Sequence, residues 1–303
     1  MAHKTHNFTD RQKMSSNSFE VYHYRDENVK EVALHHHDFY EIYFFISGNV
    51  SYNIESRSYR LSPGDVLLIN PQELHQPIFS PEKQHYERYV LWISSGFLQQ
   101  FALPDQDMSR CFDTSQPGHT NLIRPDGVNR ELLMYLFQQL IREQDSQEFA
   151  AEFNCLSLLA QLLVIVNRTA LRAGRAPEPR ENADSVVYRI LGYINEHYSE
   201  DLSLDFLANE FFISKYHLSR EFSRVVGTSV HRYIVQKRLI MARQMMAAGT
   251  STSEVSQLCG FGDYSNFYRA FTNEYQISPR KYLEELKKES PRHPDLTLLR
   301  ERE

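Results

Sequence analysis

Residues 201–227 read DLSLDFLANEFFISKYHLSREFSRVVG, and residues 251–276 read STSEVSQLCGFGDYSNFYRAFTNEYQ. Each stretch predicts two short helices joined by a tight turn, because apolar residues recur at helical spacing and a small polar residue precedes each helix. The predicted N-caps are Ser203 and Ser214 in the first stretch, and Ser253 and Asp263 in the second. A pair of short helices with a tight turn is typical of a helix-turn-helix, and here the pair occurs twice.

The charge distribution favours a polyanion as partner of this region alone. Between Phe211 and Lys288 there are 12 Lys and Arg against 6 Asp and Glu, whereas residues 1–183 hold 17 against 23. A basic segment in a chain of net charge −6 fits nucleic acid, although charge alone would equally fit a solvated helical surface. Two helix-turn-helix units in tandem on that segment favour DNA binding over packing alone.

The second unit carries a specific pattern. The sequence GF-x-D-Y-x-x-F-x-R-x-F, followed by ISPRKY, resembles the signature of AraC/XylS-type transcription regulators. The matching positions are Gly260, Phe261, Asp263, Tyr264, Phe267, Arg269, Phe271, Pro279 and Tyr282. Two positions depart from the pattern: Gln276 replaces a usual glycine and Ser256 a common alanine, which puts local stability in doubt more than function.

The resemblance implies that the second helix of each unit enters a major groove, about one helical turn of DNA apart. The predicted base contacts are Tyr216, Ser219 and Arg220 in the first unit and Ser265, Asn266 and Arg269 in the second. Arginine can bind guanine, asparagine can bind adenine, and a ring can contact a thymine methyl. The predicted phosphate contacts are Lys215, Arg224, Arg232, Lys237 and Lys281. For either arginine of a recognition helix, a surface salt bridge is the alternative.

The first half of the chain has a different periodicity. From Phe19 to about Ile93, short runs rich in Val, Ile, Tyr and Phe alternate with turn signals, which predicts a small antiparallel barrel or sandwich. Residues 129–143 and 149–170 then predict two amphipathic helices, which can cover the barrel or pair with a second copy of the chain. Residues 173–184, with two prolines and many charges, read as a linker.

The predicted organisation follows from these boundaries. It comprises a flexible N-terminus (1–18), a cupin-like effector-binding and dimerisation domain (19–172), the linker (173–184), an AraC-type DNA-binding domain (185–288) and a tail (289–303). The fold class is therefore two-domain α+β: a cupin-like β-barrel with flanking helices, then an all-α domain with two helix-turn-helix units joined by a long helix.

The pattern H-x-H-x3-E-x6-G, formed by His35, His37, Glu41 and Gly48, resembles the first cupin motif. Gly64 and His75 keep the glycine-to-histidine spacing of the second cupin motif. Three imidazoles and a carboxylate suit a divalent transition metal. The same inward polar groups, with Tyr43, can instead hydrogen-bond an organic effector without metal, or merely line the interior. We predict a metal-free effector pocket at these residues, with no required cofactor, and keep the metal site and the structural cluster as alternatives.

The predicted function is a cytoplasmic, homodimeric transcription regulator, an activator rather than a repressor, that responds to a small-molecule effector. Its predicted partners are double-stranded DNA, a carbohydrate or derivative, and RNA polymerase. The three cysteines are scattered, which indicates reduced thiols. The sequence contains no run of about 18 apolar residues, so no membrane partner is predicted. The alternatives are a metal-dependent cupin enzyme with an accessory helical domain, and a constitutive DNA-binding protein whose barrel only dimerises.

Overall fold

The computed structural model describes residues 12–27, 32–80, 85–101, 106–173 and 185–289 of the chain. The strands are β1 (Phe19–Glu27), β2 (Phe39–Ser47), β3 (Val50–Ile54), β4 (Arg57–Arg60), β5 (Val66–Ile69), β6 (His75–Phe79), β7 (His85–Ser94) and β8 (Leu122–Ile123). The first five helices are α1 (Ser95–Leu98), α2 (Gly127–Glu143), α3 (Ala151–Ala173), α4 (Val186–His197) and α5 (Leu204–Glu210). The other five are α6 (Lys215–Val226), α7 (Val230–Ala247), α8 (Thr252–Leu258), α9 (Tyr264–Tyr275) and α10 (Pro279–Glu289). The predicted α+β fold class is confirmed.

The strands form two antiparallel sheets. One has five strands in the order β1-β7-β2-β5-β8, and the other has three in the order β4-β3-β6. An isolated bridge between His35 and His75 continues the strand pairing beyond β6. Each pair of neighbouring strands is antiparallel, as the alternating sequence pattern predicts.

The central strand β2 separates two cores. Ile42 and Phe44 belong to the cluster formed with α2 and α3, whereas Tyr43 and Phe45 belong to the cluster formed with the three-stranded sheet. Successive side chains of a strand point to opposite faces, so β2 is buried on both sides. Glu41 is two residues from Tyr43 and is therefore on the side of the three-stranded sheet. We call the two sheets with α2 and α3 the two-sheet domain.

Helices α2 and α3 lie close to their predicted ranges, but not all of their large apolar side chains are buried. Leu133, Leu136 and Phe137 are buried, but Leu132 is 39% exposed and Phe153 is 76% exposed. The helical period places both residues at the edge of the apolar stripe, where the structure turns them outward. By length and composition α3 could cross a membrane. One face of α3 instead packs in the core with the sheet, through Leu158, Leu159, Leu162, Leu163 and Val166.

The helix caps of the second half follow the sequence with small corrections. Ser214 and Asp263 accept hydrogen bonds from the backbone of α6 and α9, as predicted. The second helix-turn-helix unit is capped by Ser251 rather than by Ser253, because the Ser251 hydroxyl accepts a hydrogen bond from the Glu254 N–H. Helix α6 ends at Gly227 in the left-handed conformation that glycine adopts without strain, and it buries Val226.

The chain divides into two compact units, residues 1–196 with 205–229, and residues 197–204 with 230–303. The first unit holds the two-sheet domain with α4 and α6, and the second holds α7 to α10. Most of the predicted linker, residues 174–184, lies outside the described residues. The same holds for 1–11 of the predicted N-terminus and 290–303 of the predicted tail. The domain boundaries drawn from the sequence stay predictions.

Within the second compact unit, the loop before α5 is fixed to α7 and to the end of α8. Arg238 donates hydrogen bonds of 2.7 Å to the carbonyl oxygens of Tyr198 and Glu200. Gly260 has a φ of +75°, and a Cβ there would lie 2.4 Å from the Ser199 oxygen. Of the two departures noted above, Gln276 adopts a left-handed φ of 60° at the end of α9, which glycine adopts without strain. Ser256 is buried, and its hydroxyl donates to the Ser253 carbonyl at 2.7 Å.

Candidate DNA-reading helices and effector site

The outward face of α6 is polar and open. Tyr216, Ser219 and Arg220 are all exposed, because Leu218 and Phe222 hold the opposite face of the helix in the core. None of the three predicted side chains is needed to bury apolar surface. They are therefore available to a groove of DNA, where a phenol, a hydroxyl and a guanidinium can each hydrogen-bond a base edge.

The outward face of α9 in the second unit is linked by hydrogen bonds. The Asp263 side chain caps the helix and accepts from Asn266 Nδ2 at 2.7 Å, and Arg269 Nη2 donates to Asn266 Oδ1 at 2.8 Å. Ser265 lies beside them, and all are exposed. These linked hydrogen bonds orient the Asn266 amide and the Arg269 guanidinium, the two groups that bind adenine and guanine most specifically. Among the residues that the structure describes, Arg269 donates to the Asn266 amide and pairs with no carboxylate.

Four of the five predicted phosphate contacts lie on the surface. Lys215 pairs with Asp205, Arg224 donates to Glu221 at 2.7 Å, and Lys281 lies 3.8 Å from Glu285. Arg232 is exposed on α7. Lys237 is only 8% exposed, because α7 packs on several sides, and its role as a phosphate contact stays a prediction. The exposed pairs contribute little to stability and can exchange for phosphate.

The predicted residues of the N-terminal motif come together in the two-sheet domain. The rings of His35 and His75 have centroids 4.3 Å apart, and those of His37 and His75 are 4.8 Å apart. Glu41 Oε2 lies 3.1 Å from His37 Nε2. All four side chains are buried. Their ligand-type atoms on His37, Glu41 and His75 lie within 4.8 Å of one another, and we call these three residues the histidine cluster.

Backbone carbonyls fix which ring nitrogens face the cluster. Nδ1 lies 2.9 Å from the Ala33 oxygen in His35, 2.8 Å from the Phe39 oxygen in His37 and 2.9 Å from the Glu73 oxygen in His75. A carbonyl only accepts, so each Nδ1 carries a proton and donates it. In a neutral ring Nε2 is then the lone-pair nitrogen. His37 Nε2 and the Glu41 carboxylate, 3.1 Å apart, form a pair that can hold one hydrogen or a cation between them.

Burial keeps His75 neutral. Its pKa is lowered well below the ordinary value, first by burial and then by the neighbouring His35 and His37. Within the described part of the chain, His75 Nε2 is buried without a hydrogen-bond partner. A buried acceptor of this kind costs free energy unless something binds it. The cluster therefore has one vacant lone pair and one shared carboxylate, which suits either a hydroxyl donor or a metal ion.

Glu41 connects the cluster to a small cavity. Its Oε2 also accepts from Trp92 Nε1 at 3.1 Å. The cavity is lined by Glu41 and Tyr43, which were predicted for the effector pocket, and by Trp92. Further groups that the motif does not indicate complete the lining. These are Gln12, Tyr24, Tyr52, Pro77, Tyr86, Arg88 and Val90. The histidines lie beyond Glu41 and do not line the cavity.

Arg88 is the main residue that sequence reasoning missed. Its guanidinium is buried, pairs with Asp26 and lies 4.1 Å from the centroid of the Tyr86 ring and 4.7 Å from that of Tyr24. Tyr43 and Tyr86 share a short hydrogen bond between their hydroxyls. Burial raises the pKa of Tyr43 well above its usual value, so the phenol stays protonated. Only Glu87 and Arg88 in β7, charged residues in a strand that has a neighbour on both sides, signal this arrangement in the sequence.

Comparison with known proteins agrees with both halves of the chain. A model described as an AraC-like ligand binding domain matches residues 18–163, and one described as a helix-turn-helix domain matches residues 207–285. The HTH-type transcriptional activator RhaS of Salmonella schwarzengrund is 29% identical over 251 residues, which cover 81% of this chain and 85% of RhaS. RhaS of Salmonella typhi is 28% identical over the same coverage.

Among solved structures, ToxT of Vibrio cholerae with a bound unsaturated fatty acid is 14% identical. The match covers 90% of this chain and 97% of the ToxT chain, with a TM-score of 0.39.

The two family models place a ligand-binding domain before a helix-turn-helix domain, the order that the sequence predicts. The chain belongs to the AraC/XylS-type transcription regulators. It is a DNA-binding regulator, and the curated relatives that it matches over most of their length are transcriptional activators.

Proposed function

We propose that the two-sheet domain senses a small polyhydroxylated effector, a carbohydrate or a derivative, and thereby controls activation by the DNA-binding helices. The observation that carries this proposal is Glu41, the member of the histidine cluster whose carboxylate contacts His37 and also lines a cavity walled by tyrosines and Trp92. A carboxylate can accept from two sugar hydroxyls, phenols can donate or accept, and an indole face packs on the C–H face of a pyranose.

The size of the cavity defines how an effector would enter. The enclosed space is about 10 Å³, roughly the volume that a single water occupies. A monosaccharide must therefore displace side chains. Gln12 is the lining group that belongs to none of the strands, and its Oε1 is buried without a partner among the described residues. Its displacement would break none of the strand pairing, so we expect it to move first.

Isothermal titration calorimetry on the full chain tests this proposal. The titrants are neutral hexoses, 6-deoxyhexoses, pentoses and uronic acids. We expect one class to bind, and Glu41→Gln to weaken that binding at least tenfold while Gln161→Glu on the outer surface of α3 leaves it unchanged. Binding of no sugar to the wild type, or equal binding to Glu41→Gln, would contradict the proposed site.

The histidine cluster also supports a second candidate, a divalent transition metal. His37, Glu41 and His75 supply two imidazoles and a carboxylate, and the Nδ1 hydrogen bonds to backbone carbonyls orient the rings as they do around bound metals. A bound ion would withdraw electron density from any effector oxygen that reached it. Zinc, iron, manganese or nickel fits such a ligand set.

Elemental analysis of purified, tag-free protein decides between these two readings of the cluster. About one equivalent of metal, lost in His75→Ala and retained in the exposed control His217→Ala, would establish the metal site. Metal-free protein that still binds a sugar would leave the cluster as hydrogen-bonding groups. We propose the metal-free site as the function and no catalytic role, because the relatives that the chain matches over most of their length are transcriptional activators.

We further propose a homodimer formed through α2 and α3. Val128, Leu132 and Tyr135 lie at i, i+4 and i+7 on the exposed side of α2, and Phe153 is exposed on α3. These apolar side chains form a stripe that a second copy of the helices can cover. Sedimentation should show a dimer that Leu132→Glu with Phe153→Glu converts to monomer, whereas Gln161→Glu does not. A wild-type monomer at micromolar concentration, with and without DNA, would contradict this.

The remaining partners follow from activation. We propose that the dimer acts in the cytoplasm on double-stranded DNA and contacts RNA polymerase, because an activator must raise the rate at which the polymerase starts. We propose no membrane partner, since α3, the one helix among the described residues that is apolar enough to span a bilayer, contributes its buried side chains to the core of the two-sheet domain. Transcription from a promoter containing the selected DNA site, with the purified dimer and polymerase, tests this directly.

A further inference from the structure

Two polar residues are buried on the outer face of the three-stranded sheet. Asn53 on β3 and Gln76 on β6 face each other across the strand pair, and they are 8% and 4% exposed. A buried amide is costly unless its donors and acceptors are bound. The outer face of a three-stranded sheet would normally be solvated, so something else in the same unit must cover these two side chains.

The cover is the first part of the helical region. The Tyr188 hydroxyl of α4 donates to Asn53 Oδ1 at 3.1 Å, and Gln76 Nε2 donates to the Val226 carbonyl at the end of α6 at 3.4 Å. Gly192, one turn beyond Tyr188, lies against Ser56, where an added Cβ would be 3.8 Å from the Ser56 Cβ. All these residues belong to the first compact unit.

The contact with α6 is made at its C-terminal end. The last carbonyls of a helix have no partner within the helix, and Gln76 supplies a donor to one of them. Gly227, which ends α6, lies close enough that an added Cβ would be 3.7 Å from Gln76 Oε1. The N-terminal half of α6, with Tyr216, Ser219 and Arg220, stays exposed. This contact therefore holds the helix without covering its DNA-reading face.

The same two strands reach the histidine cluster and the cavity on their inner face. His75 precedes Gln76 on β6, and Tyr52 precedes Asn53 on β3. Successive residues of a strand point to opposite faces, so each strand presents one residue to the interior and the next to the helices. Tyr52 lines the cavity and its ring lies 6.2 Å from that of His75. A shift of either inner side chain moves the backbone that carries its outer neighbour.

We propose that Asn53 and Gln76 form an intramolecular docking surface that couples the interior of the two-sheet domain to α6, the DNA-reading helix of the first helix-turn-helix unit. Both are positioning residues: they set where α4 and the end of α6 lie and touch neither effector nor DNA. The regulatory meaning of this coupling rests on the proposed function, since an effector at Glu41 would act through His75 and Tyr52. The coupling itself is a property of the strands.

Hydrogen exchange of the full-length protein, followed by mass spectrometry, tests the docking surface. Gln76→Met keeps the length of the side chain and removes the donor, and Tyr188→Phe removes one hydroxyl. We expect Gln76→Met to raise exchange at residues 223–229 about fivefold, as the loss of one hydrogen bond implies, and Tyr188→Phe to do so at 185–197. Exchange in residues 252–276 of the second unit should not change. Gln161→Met, an exposed glutamine on α3, is the control.

A substitution in the interior then tests the coupling. His75→Asn should change exchange at residues 223–229 in the wild-type background and should fail to change it in the Gln76→Met background. Tyr52→Phe, which removes only a hydroxyl, makes the same comparison if His75→Asn does not fold. Equal changes in both backgrounds, or none in either, would overturn the proposal.

These outcomes are separate from those of the proposed function, because the interior is altered by substitution and not by a ligand. A protein that binds no sugar but shows the background-dependent exchange would overturn the proposed effector and leave the docking surface standing. A protein that binds a sugar through Glu41, with exchange at 223–229 indifferent to Gln76, would retain the effector and overturn the docking surface.

Discussion

The interior of the two-sheet domain and the outward faces of α6 and α9 use the same kinds of side chain for opposite purposes. In the interior, His37, Glu41 and Arg88 are buried and each bonds to a neighbour. On the helices, Tyr216 and Arg269 project into solvent while Phe222 and Phe267 hold the fold. A polar group in the interior is therefore tied to stability as well as to binding, whereas one on the helices can be exchanged at little cost to the fold.

The largest effect should come from Glu41→Ala, which removes the acceptor shared by Trp92 and His37. Two buried polar groups would lose their partner, so we expect the free energy of unfolding to fall by about 2–4 kcal/mol in urea titrations. Glu41→Gln retains an acceptor and should cost less than half as much. Unchanged stability in Glu41→Ala would show that the interior behaves like the helix surface.

Arg269→Ala should produce the reverse pattern. We expect DNA affinity at the cognate site to fall by about 1–3 kcal/mol and one base position to lose its preference. The free energy of unfolding should change by no more than about 0.5 kcal/mol, because the side chain is exposed. Titration of cognate and random DNA measures the first effect. An equal loss on both would make Arg269 a phosphate contact.

Acid should affect the interior through His119 at the edge of the two-sheet domain. Burial, and next the charge of Arg57, lower the pKa of His119 to about 4, whereas an unfolded histidine titrates near 6.5. The unfolded state therefore binds the proton first, and stability falls as the pH drops from about 6.5 towards 4. His119→Gln should reduce the accompanying drop in melting temperature by about 2–4 °C. The exposed control His217→Gln should not.

The smallest effect concerns Arg224, which is exposed and paired with Glu221. Arg224→Ala should leave stability within about 0.5 kcal/mol, weaken cognate and random DNA equally, and lower the salt dependence of binding by about one phosphate contact. Titrations at several salt concentrations measure the slope. A loss confined to cognate DNA would instead place Arg224 among the base-reading groups.

The sequence predicted the helical half well because its signals are local. Helical spacing and short-range caps place α6 and α9 and leave Ser219 and Asn266 outward, as the structure confirms. The misplaced cap of α8 has a physical cause, because Ser251 and Ser253 are equivalent as caps by composition. The burial of Lys237 was not visible in the sequence, because it depends on how many sides of α7 are packed.

The interior of the two-sheet domain was less predictable because its contacts join distant residues. The motif brought His37, Glu41 and His75 together correctly, since two of them lie within a few residues of each other. Arg88 meets Asp26 only through the pairing of β1 with β7, and Tyr43 meets Tyr86 only across β2 and β7. No spacing along the chain signals such neighbours until the strand register is known.

The most direct test of the central claim measures DNA affinity with and without the sugar that binds best, in the wild type, Glu41→Gln and Arg269→Ala. The DNA is a site selected from a random library by the wild type. We predict that the sugar shifts the wild-type affinity. Glu41→Gln should lose that shift but keep the sugar-free affinity, and Arg269→Ala should lose affinity but keep the shift. A wild-type affinity that is indifferent to every sugar, or a shift that survives Glu41→Gln, would contradict the division between a sensing interior and DNA-reading helices.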